Sequence, residues 1–214
     1  MKFNDKQIDK LRLTVGECLS GHRFRHTLGV EKIAVILGEC CMPDKLDVIR
    51  VAALLHDISK EYSEAEHILL MKRHGIDMSE EDRSSPQLWH SMTAPLVVME
   101  DFPEFACEEV ISAVRNHTVG SPDMSVLDEI ILLADYIEFG RSYEGCVALR
   151  NKVFNELEGC EGADECVAVL HSAVAESLDN NIKEFTSRGK PFHSRTKLTR
   201  DAILAKIERY NYGK

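Results

Sequence analysis

The sequence lacks the long apolar runs and basic stripes that mark membrane-spanning and nucleic-acid-binding chains. No stretch approaches the roughly 20 uncharged apolar residues that span a bilayer. The formal net charge is −10, and no basic stripe is present to neutralise the phosphates of a long nucleic acid. We therefore expect neither a membrane nor a long nucleic acid as a partner. A small anionic ligand is compatible with this charge, because the local field at a site matters more than the total.

Proline, glycine and paired cysteines are also scarce. Six prolines and 12 glycines among 214 residues exclude a low-complexity or disordered chain. The seven cysteines are an odd number, and their spacing does not match a C-x-x-C zinc framework. The first six residues are polar and lack the apolar core of a signal peptide. We expect reduced thiols and a cytoplasmic protein.

Helical periodicity, in contrast, runs through nearly the whole sequence. Apolar residues recur at the i, i+3 and i+4 spacing of one helical face, and no segment alternates convincingly as a strand does. These patterns predict an all-α fold: a single helical array with its core in residues 1–158 and a C-terminal helical extension, residues 159–214, packed on the same domain. The predicted helices cover about residues 22–40, 44–56, 63–75, 104–117, 125–135, 163–188 and 195–210, with one more starting at residue 86.

Two features interrupt this pattern between residues 77 and 95. The polar run 77–85 predicts a surface loop, with Ser85 capping a helix whose first residue is Pro86. Pro95 lies inside that helix and removes one backbone hydrogen bond. We therefore predict a kink or a restart of the helix that carries His90.

Two carboxylates close apolar runs. Asp57 follows the run at residues 51–55 after one intervening histidine, and Asp135 directly follows the run at residues 130–134. A carboxylate at the buried end of such a helix is costly unless a cation or hydrogen bonds compensate it. The two acids therefore indicate a shared cation or a buried hydrogen-bond network.

Four histidines accompany these acids. His56 precedes Asp57, while His26, His90 and His117 lie at or within apolar helical patterns. Any one of them alone is more often structural than metal-bound. Together, four imidazoles and two carboxylates can hold two divalent ions if one carboxylate bridges them, because these ligands suit iron, manganese and related metals. The combination indicates a dinuclear metallohydrolase. Three further histidines have polar neighbours and are interpreted as structural: His67, His74 and His171.

The order of these residues resembles that of the HD-domain superfamily of metal-dependent phosphohydrolases. The superfamily pattern of H, then HD, then D, with two more histidines in the subset that holds two metals, falls on His26, His56-Asp57, Asp135, His90 and His117.

Four segments look like a narrower group, the YqeK-type bacterial family of symmetrical dinucleoside-tetraphosphate hydrolases. The similarity extends over about residues 21–150, with weaker matches at 178–180 and 191–193. Phe139 stands where the family's pattern has a proline, and Ser91 where it has a glycine, but neither position is a ligand. The matching segments are 22–30, 54–60, 116–120 and 134–138.

The resemblance implies hydrolysis of diadenosine tetraphosphate to two ADP by a metal-activated water at a dinuclear site. It also implies two divalent transition-metal ions, with iron expected first and manganese, cobalt or nickel as alternatives. One ion takes His26, His56, Asp57 and Asp135, and the other takes Asp57, His90 and His117.

Cations near the ligands are candidates for contacting the polyphosphate. Lys60 lies three residues after Asp57. Lys60 and Arg23 would offset charge on the phosphoryl oxygens, and together with Asp57 they form the expected catalytic set. A solvated lysine at a helix end is the alternative for Lys60, and an ordinary helix-ending turn is the alternative for Thr118 and Gly120. The candidate substrate-binding residues, some of which would alternatively only support the site, are His22, Arg23, Lys60, Thr118, Gly120 and Arg141.

Two other functions stay open at this point. The same site could hydrolyse another nucleotide, such as a nucleoside monophosphate, a dNTP, a cyclic dinucleotide or an alarmone. It could also bind a nucleotide without turnover and act as a regulator. In each case the expected partner is a small nucleotide, and self-association as a homodimer is left open.

Overall fold

The computed structural model describes residues 2–212, and this part of the chain contains eleven α-helices and no strand. The all-α prediction is confirmed. No helix among these residues has both the length and the apolar character needed to cross a bilayer. The helices are α1 Asp5–Cys18, α2 Gly21–Cys41, α3 Leu46–Leu55, α4 Glu64–Arg73, α5 Glu80–Arg83, α6 Trp89–Asp101, α7 Glu108–Asn116, α8 Val126–Ile137, α9 Glu144–Glu158, α10 Ala163–Ser187 and α11 Ser194–Tyr212.

Helices α2, α3, α7 and α8 pack against one another and form the centre of the core. The second half of α3 is buried on every side, and α8 is buried on every side from Leu127 to Ala134, as the apolar runs predicted. Residues at the ends of these two helices therefore lie inside the protein or at the floor of a cleft. Fully buried side chains at this centre include Val30, Ile33, Ile49, Leu54, Val114, Ile130 and Leu133.

The other long helices surround this centre. Helix α1 packs on α3, α6 packs on α7 and α4, and α10 packs on α2, α8, α9 and α11. A buried ion group ties the last two helices to the core: the Glu129 carboxylate on α8 accepts hydrogen bonds from His171 Nδ1 (2.6 Å) and Lys206 Nζ (2.7 Å). The division of the chain at residue 158 stays a prediction.

Side-chain caps set several helix boundaries where the sequence predicted them. Ser63 and Ser125 each accept a backbone hydrogen bond in a capping box at the start of α4 and α8. Gly75 follows α4 with a φ of 64°, a conformation that favours glycine. Local hydrogen bonds therefore account for the ends of both helices.

The segment between α4 and α7 differs from the prediction. Residues 77–85 are not all loop, because Ser79 caps the short helix α5. Ser85 makes no capping bond: residues Pro86–Leu88 form a 3-10 turn, and α6 begins at Trp89. A similar 3-10 turn at Pro103–Phe105 delays the start of α7 to Glu108.

Of the predicted kink or restart at Pro95, the restart is wrong, because α6 continues through the proline. The kink stays a prediction. Proline removes a single hydrogen bond from a helix interior. All but one of the residues from Trp89 to Val98 are buried, so tertiary packing outweighs that loss.

Truncation of a buried side chain on α8 should show how much this helix contributes to the stability of the core. We expect Leu133→Ala, at a fully buried position, to lower the free energy of unfolding by about 2–5 kcal/mol, since it leaves a cavity. Leu13→Ala is the control, because Leu13 is 72% exposed and surface changes usually stay within about 0.5 kcal/mol. Denaturant unfolding measures both variants, and equal losses would contradict this description of the core.

Candidate metal centre

Three helices direct their C-terminal ends to one place. His56 directly follows the last residue of α3, and His117 directly follows the last residue of α7. Asp135 lies in the last turn of α8. The carbonyl ends of helices carry partial negative charge, which favours a cation nearby. Three such ends at one point, with two carboxylates at or beside them, create an environment that requires positive charge.

His56 and His117 are oriented by the same local device. Each donates its Nδ1–H to the carbonyl oxygen three residues earlier, Ala53 for His56 and Val114 for His117, at 2.7 Å in both cases. Because a carbonyl can only accept, the proton of the neutral ring is on Nδ1 and the lone pair is on Nε2. The helix ends thus present two imidazole nitrogens ready to bind a metal.

His26, His56 and Asp135 form the first group of potential ligands, and their ligand atoms all lie within 4.8 Å of one another. His26 comes from the second turn of α2, and its Nε2 lies 3.0 Å from Oδ1 of Asp135. Its Nδ1 lies 3.2 Å from Oε1 of Glu138. His26 therefore directs Nε2 at the group in the same way as His56.

Asp57, His90 and His117 form the second group of potential ligands. Their ligand atoms also all lie within 4.8 Å of one another. His90 comes from the first turn of α6, and its Nε2 lies 3.1 Å from Nε2 of His117. Oδ1 of Asp57 lies 3.4 Å from Nε2 of His90 and 3.5 Å from Nε2 of His117. All three side chains are almost fully buried.

Asp57 stands between the two groups. While Oδ1 faces the second group, Oδ2 lies 3.5 Å from Nε2 of His56 and 3.7 Å from Nε2 of His26 in the first. Each oxygen of this one carboxylate therefore faces a different set of ligands.

Three of these separations fit ligands that share a cation: 3.0 Å between His26 and Asp135, 3.1 Å between His90 and His117, and 3.4 Å between Asp57 and His90. The other three, all to Asp57, are 3.5–3.7 Å. Two atoms that are each about 2.1 Å from one ion, at tetrahedral or octahedral angles, are about 3.0–3.4 Å apart. Within residues 2–212, the buried atoms His26 Nε2, His56 Nε2 and Asp57 Oδ1 make no hydrogen bond. Buried polar atoms without partners are rare in proteins, and one divalent ion in each group would together satisfy all three.

Neighbouring groups keep both carboxylates ionised. Burial raises the pKa of Asp57. The charge of His56 and the adjacent His117 outweigh burial and hold this pKa well below its usual value. Burial likewise raises the pKa of Asp135, while His26 and the Arg141 charge bring it well below its usual value. Metal binding needs deprotonated ligands, and both acids meet that condition.

His90 is also suited to ligation. Burial lowers the pKa of His90 well below its usual value, and the charges of His117 and Lys60 lower it further. His90 is therefore neutral at pH 7, the form in which imidazole binds a metal.

Three cations predicted to act at the site surround the two groups. Arg23 donates to Oδ2 of Asp57 at 2.8 Å, and Arg141 donates to Oδ1 of Asp135 at 2.7 Å. Lys60 Nζ lies 3.0 Å from Nε2 of His90. Burial lowers the pKa of Lys60, although the charges of Asp57 and Asp135 act in the opposite direction.

The groups open into a cleft of about 580 Å³. Lys60, Thr118 and Arg141 line it, and the buried hydroxyl of Thr118 has no hydrogen-bond partner in the described part of the chain. A polar atom of a ligand in the cleft would satisfy that hydroxyl.

Three of the predicted substrate-binding residues do not line the cleft: Arg23, which bonds Asp57, His22 and Gly120. His22 is exposed at the start of α2 and is not among the residues that line the cleft. Gly120 also lies outside the lining; its φ of 69° and the side chain of Thr199, which a Cβ there would overlap, account for the glycine.

The C-terminal helices form one wall of the cleft. Residues 180, 181, 184 and 185 of α10 line it, together with residues 191–193 and 196. Helix α5 anchors this wall, because Asp82 accepts from His193 Nε2 at 3.1 Å and Glu81 accepts from the backbone and hydroxyl of Ser194 at 2.6 Å. The sequence analysis assigned this part of the chain mainly to packing, and its contribution to the cleft depends on contacts more than 100 residues apart.

Glu138 is a site residue that the sequence analysis did not select. It is buried and contacts His26, a potential ligand. The available signal was its spacing, since it follows Asp135 by three residues and lies next to it on a helical face.

Comparison with known proteins gives consistent matches. Residues 23–140 match the HD domain family. A symmetrical bis(5'-nucleosyl)-tetraphosphatase from Halalkalibacterium halodurans is 30% identical over 188 residues, covering 87% of this chain and 91% of that protein. The protein of the same name from Bacillus subtilis is 28% identical over 191 residues, covering 89% and 94%.

One solved structure is also similar over nearly the whole chain. It is the crystal structure of a predicted HD superfamily hydrolase from Clostridium acetobutylicum, described as involved in NAD metabolism. It superposes with a TM-score of 0.79 at 28% identity, covering 92% of this chain and 97% of that chain.

Removal of one potential ligand should reduce the metal content of the protein in a selective way. We expect His117→Ala to lose one divalent ion per chain, because the second group then keeps only Asp57 and His90. His67→Ala is a matched control, since His67 is also buried but bonds Thr93 and belongs to neither group. Metal analysis after loading with manganese measures both. Unchanged metal content in His117→Ala would show that this histidine binds no ion.

Proposed function

The chain belongs to the HD domain family, and we propose that it is a symmetrical dinucleoside-tetraphosphate hydrolase whose two divalent ions are bridged by Asp57. At the coarser level, it is a metal-dependent phosphohydrolase. The observation that carries the dinuclear proposal is the position of Asp57, whose two oxygens each face a separate group of ligands. The names of the two relatives support the choice of substrate.

The proposed assignment follows the two groups. His26, His56, Asp135 and Oδ2 of Asp57 hold the first ion, and Oδ1 of Asp57 with His90 and His117 holds the second. We expect iron, with manganese, cobalt and nickel as the alternatives that the same ligands accept. When bound, such a pair supplies Lewis acidity at the phosphoryl oxygens and lowers the pKa of water.

The residues of the chain bind and orient the substrate around this centre. Lys60 and Arg141 put positive charge on the wall of the cleft, which favours a tetraphosphate despite the net charge of −10. The free hydroxyl of Thr118 is available to donate to a phosphate oxygen. Arg23 holds Asp57 through Oδ2, which keeps the carboxylate oriented between the groups and offsets charge that develops nearby.

The reaction needs one water molecule. Its oxygen forms a bond to one of the two central phosphorus atoms, the bridging oxygen leaves with the other nucleoside diphosphate, and one proton is released. Cleavage at this central bond gives two identical products from diadenosine tetraphosphate. Lys60 and Arg141 stabilise the charge that builds on the phosphoryl oxygens, since both open on the cleft beside the ligands.

Chromatographic analysis of the products tests this proposal. With diadenosine tetraphosphate and iron or manganese, we expect ADP as the sole product, loss of turnover in chelator, and recovery when metal is restored. Asp57→Asn should be inactive, because an amide cannot bridge two ions as a carboxylate does. AMP together with ATP would contradict symmetrical cleavage.

A substrate panel separates the alternatives in the same assay. It should contain nucleoside monophosphates, dNTPs, cyclic dinucleotides, alarmones and NAD. If one of these compounds is hydrolysed and diadenosine tetraphosphate is not, that compound is the substrate of the site. Nucleotide binding without turnover with iron, manganese, cobalt or nickel would instead indicate a regulator.

A further inference from the structure

Glu138 is a buried carboxylate that contacts the first group of ligands without belonging to it. Its side chain is 5% exposed. Oε1 lies 3.2 Å from Nδ1 of His26, and Oε2 accepts the backbone N–H of Gly140 at 2.5 Å. Both oxygens therefore have a defined partner, and one of these partners is a potential metal ligand.

The surrounding backbone makes room for this carboxylate. A Cβ at Gly29, on α2, would overlap Oε2 of Glu138, and a Cβ at Gly140 would lie only 2.9 Å from Oε1. Larger residues at either position would displace Glu138 from His26. Gly29 and Gly140, from different parts of the chain, thus both leave space for the contact between Glu138 and His26.

The turn after α8 is also held firmly. Glu138 ends the helix in an extended conformation, with φ −59° and ψ 156°. Nη1 of Arg150, on α9, donates to the carbonyl oxygens of Ile137 (3.0 Å) and Glu138 (2.6 Å). These bonds satisfy carbonyls that a helix end leaves free and fix the backbone from which the Glu138 side chain reaches α2.

His26 depends on this contact more than the comparable histidines do. Backbone carbonyls of their own helices orient His56 and His117. For His26, the acceptor is a side chain 112 residues away. Glu138 can only accept, so its Oε1 receives the Nδ1–H of His26, while Nε2 of the same ring faces Oδ1 of Asp135 at 3.0 Å.

We propose that Glu138 is the positioning residue of His26: it fixes the orientation of the His26 ring, with Nε2 toward the first ligand group, and thereby sets the affinity of that group for its divalent ion. The second half of this statement rests on the proposed function, in which His26 binds metal. The first half concerns the chain alone and is tested separately.

Manganese affinity tests the role in metal binding. We expect Glu138→Ala to weaken one of the two manganese sites by about 10- to 100-fold, the usual cost of losing such a partner. Glu138→Gln should lose less, because its amide oxygen still accepts from His26 although the charge is gone. Titration of the full-length chain, with free manganese counted by electron paramagnetic resonance, measures both variants.

Glu129→Ala is the matched control for this titration. Glu129 is also a buried glutamate on α8 that binds a histidine, but that histidine, His171, belongs to neither ligand group. We expect normal manganese affinity in this variant. An equal loss in Glu129→Ala and Glu138→Ala would show that general destabilisation is responsible and would overturn the proposal.

The orientation of the His26 ring gives a readout independent of metal and turnover. Crystal structures of the chelator-treated, full-length chain should show the ring in one orientation, with Nδ1 toward residue 138, in the wild type and in Glu138→Gln. In Glu138→Ala the ring should turn away from this orientation. An unchanged ring orientation and unchanged manganese affinity in Glu138→Ala would overturn the proposal. A wild-type chain that binds no manganese would count against the proposed function, and the ring orientation would still decide the role of Glu138.

Discussion

The burial of the Asp57 carboxylate is the constraint on which the rest of the site depends. A charge with 3% side-chain exposure is stable only where cations and hydrogen bonds surround it. Arg23 supplies one ion pair through Oδ2, but Oδ1 faces two imidazole nitrogens and has no hydrogen bond within residues 2–212. Four histidines from four parts of the chain converge on this carboxylate, and two divalent ions would compensate it fully. The HD motif thus marks the point where the protein needs positive charge.

The ends of two helices fix the orientation of two of these potential ligands. The last turn of an α-helix has free carbonyls, and His56 and His117 each use one of them to fix the ring. The same device requires a buried helix that stops at the site, which the apolar helix α3 provides before Asp57. His26 lies within a long helix instead, so its second nitrogen needs a partner from elsewhere, and Glu138 supplies it. Fold and site are therefore linked through where the helices end.

The sequence alone predicted eight of the eleven helices in residues 2–212 and selected six candidate ligands, because both produce local patterns. Ser125 and the following apolar run define α8 and place Asp135 at its end, and the structure brings this acid together with five residues selected in the same way. Features that depend on tertiary packing were missed. Pro95 suggested a break that burial of α6 prevents, and the spacing of Glu138 from Asp135 did not reveal its contact with His26. The wall of the cleft formed by the C-terminal helices is anchored to α5 through His193 and Ser194, by contacts that a local pattern does not encode.

The central claim is that one carboxylate bridges two divalent ions, and anomalous diffraction from crystals of the manganese-loaded chain tests it most directly. The account predicts two anomalous peaks about 3.5–4 Å apart, one among His26, His56 and Asp135 and the other beside His90 and His117, with an oxygen of Asp57 bound to each. A single peak at full loading, or a second peak that Asp57 does not touch, would contradict it.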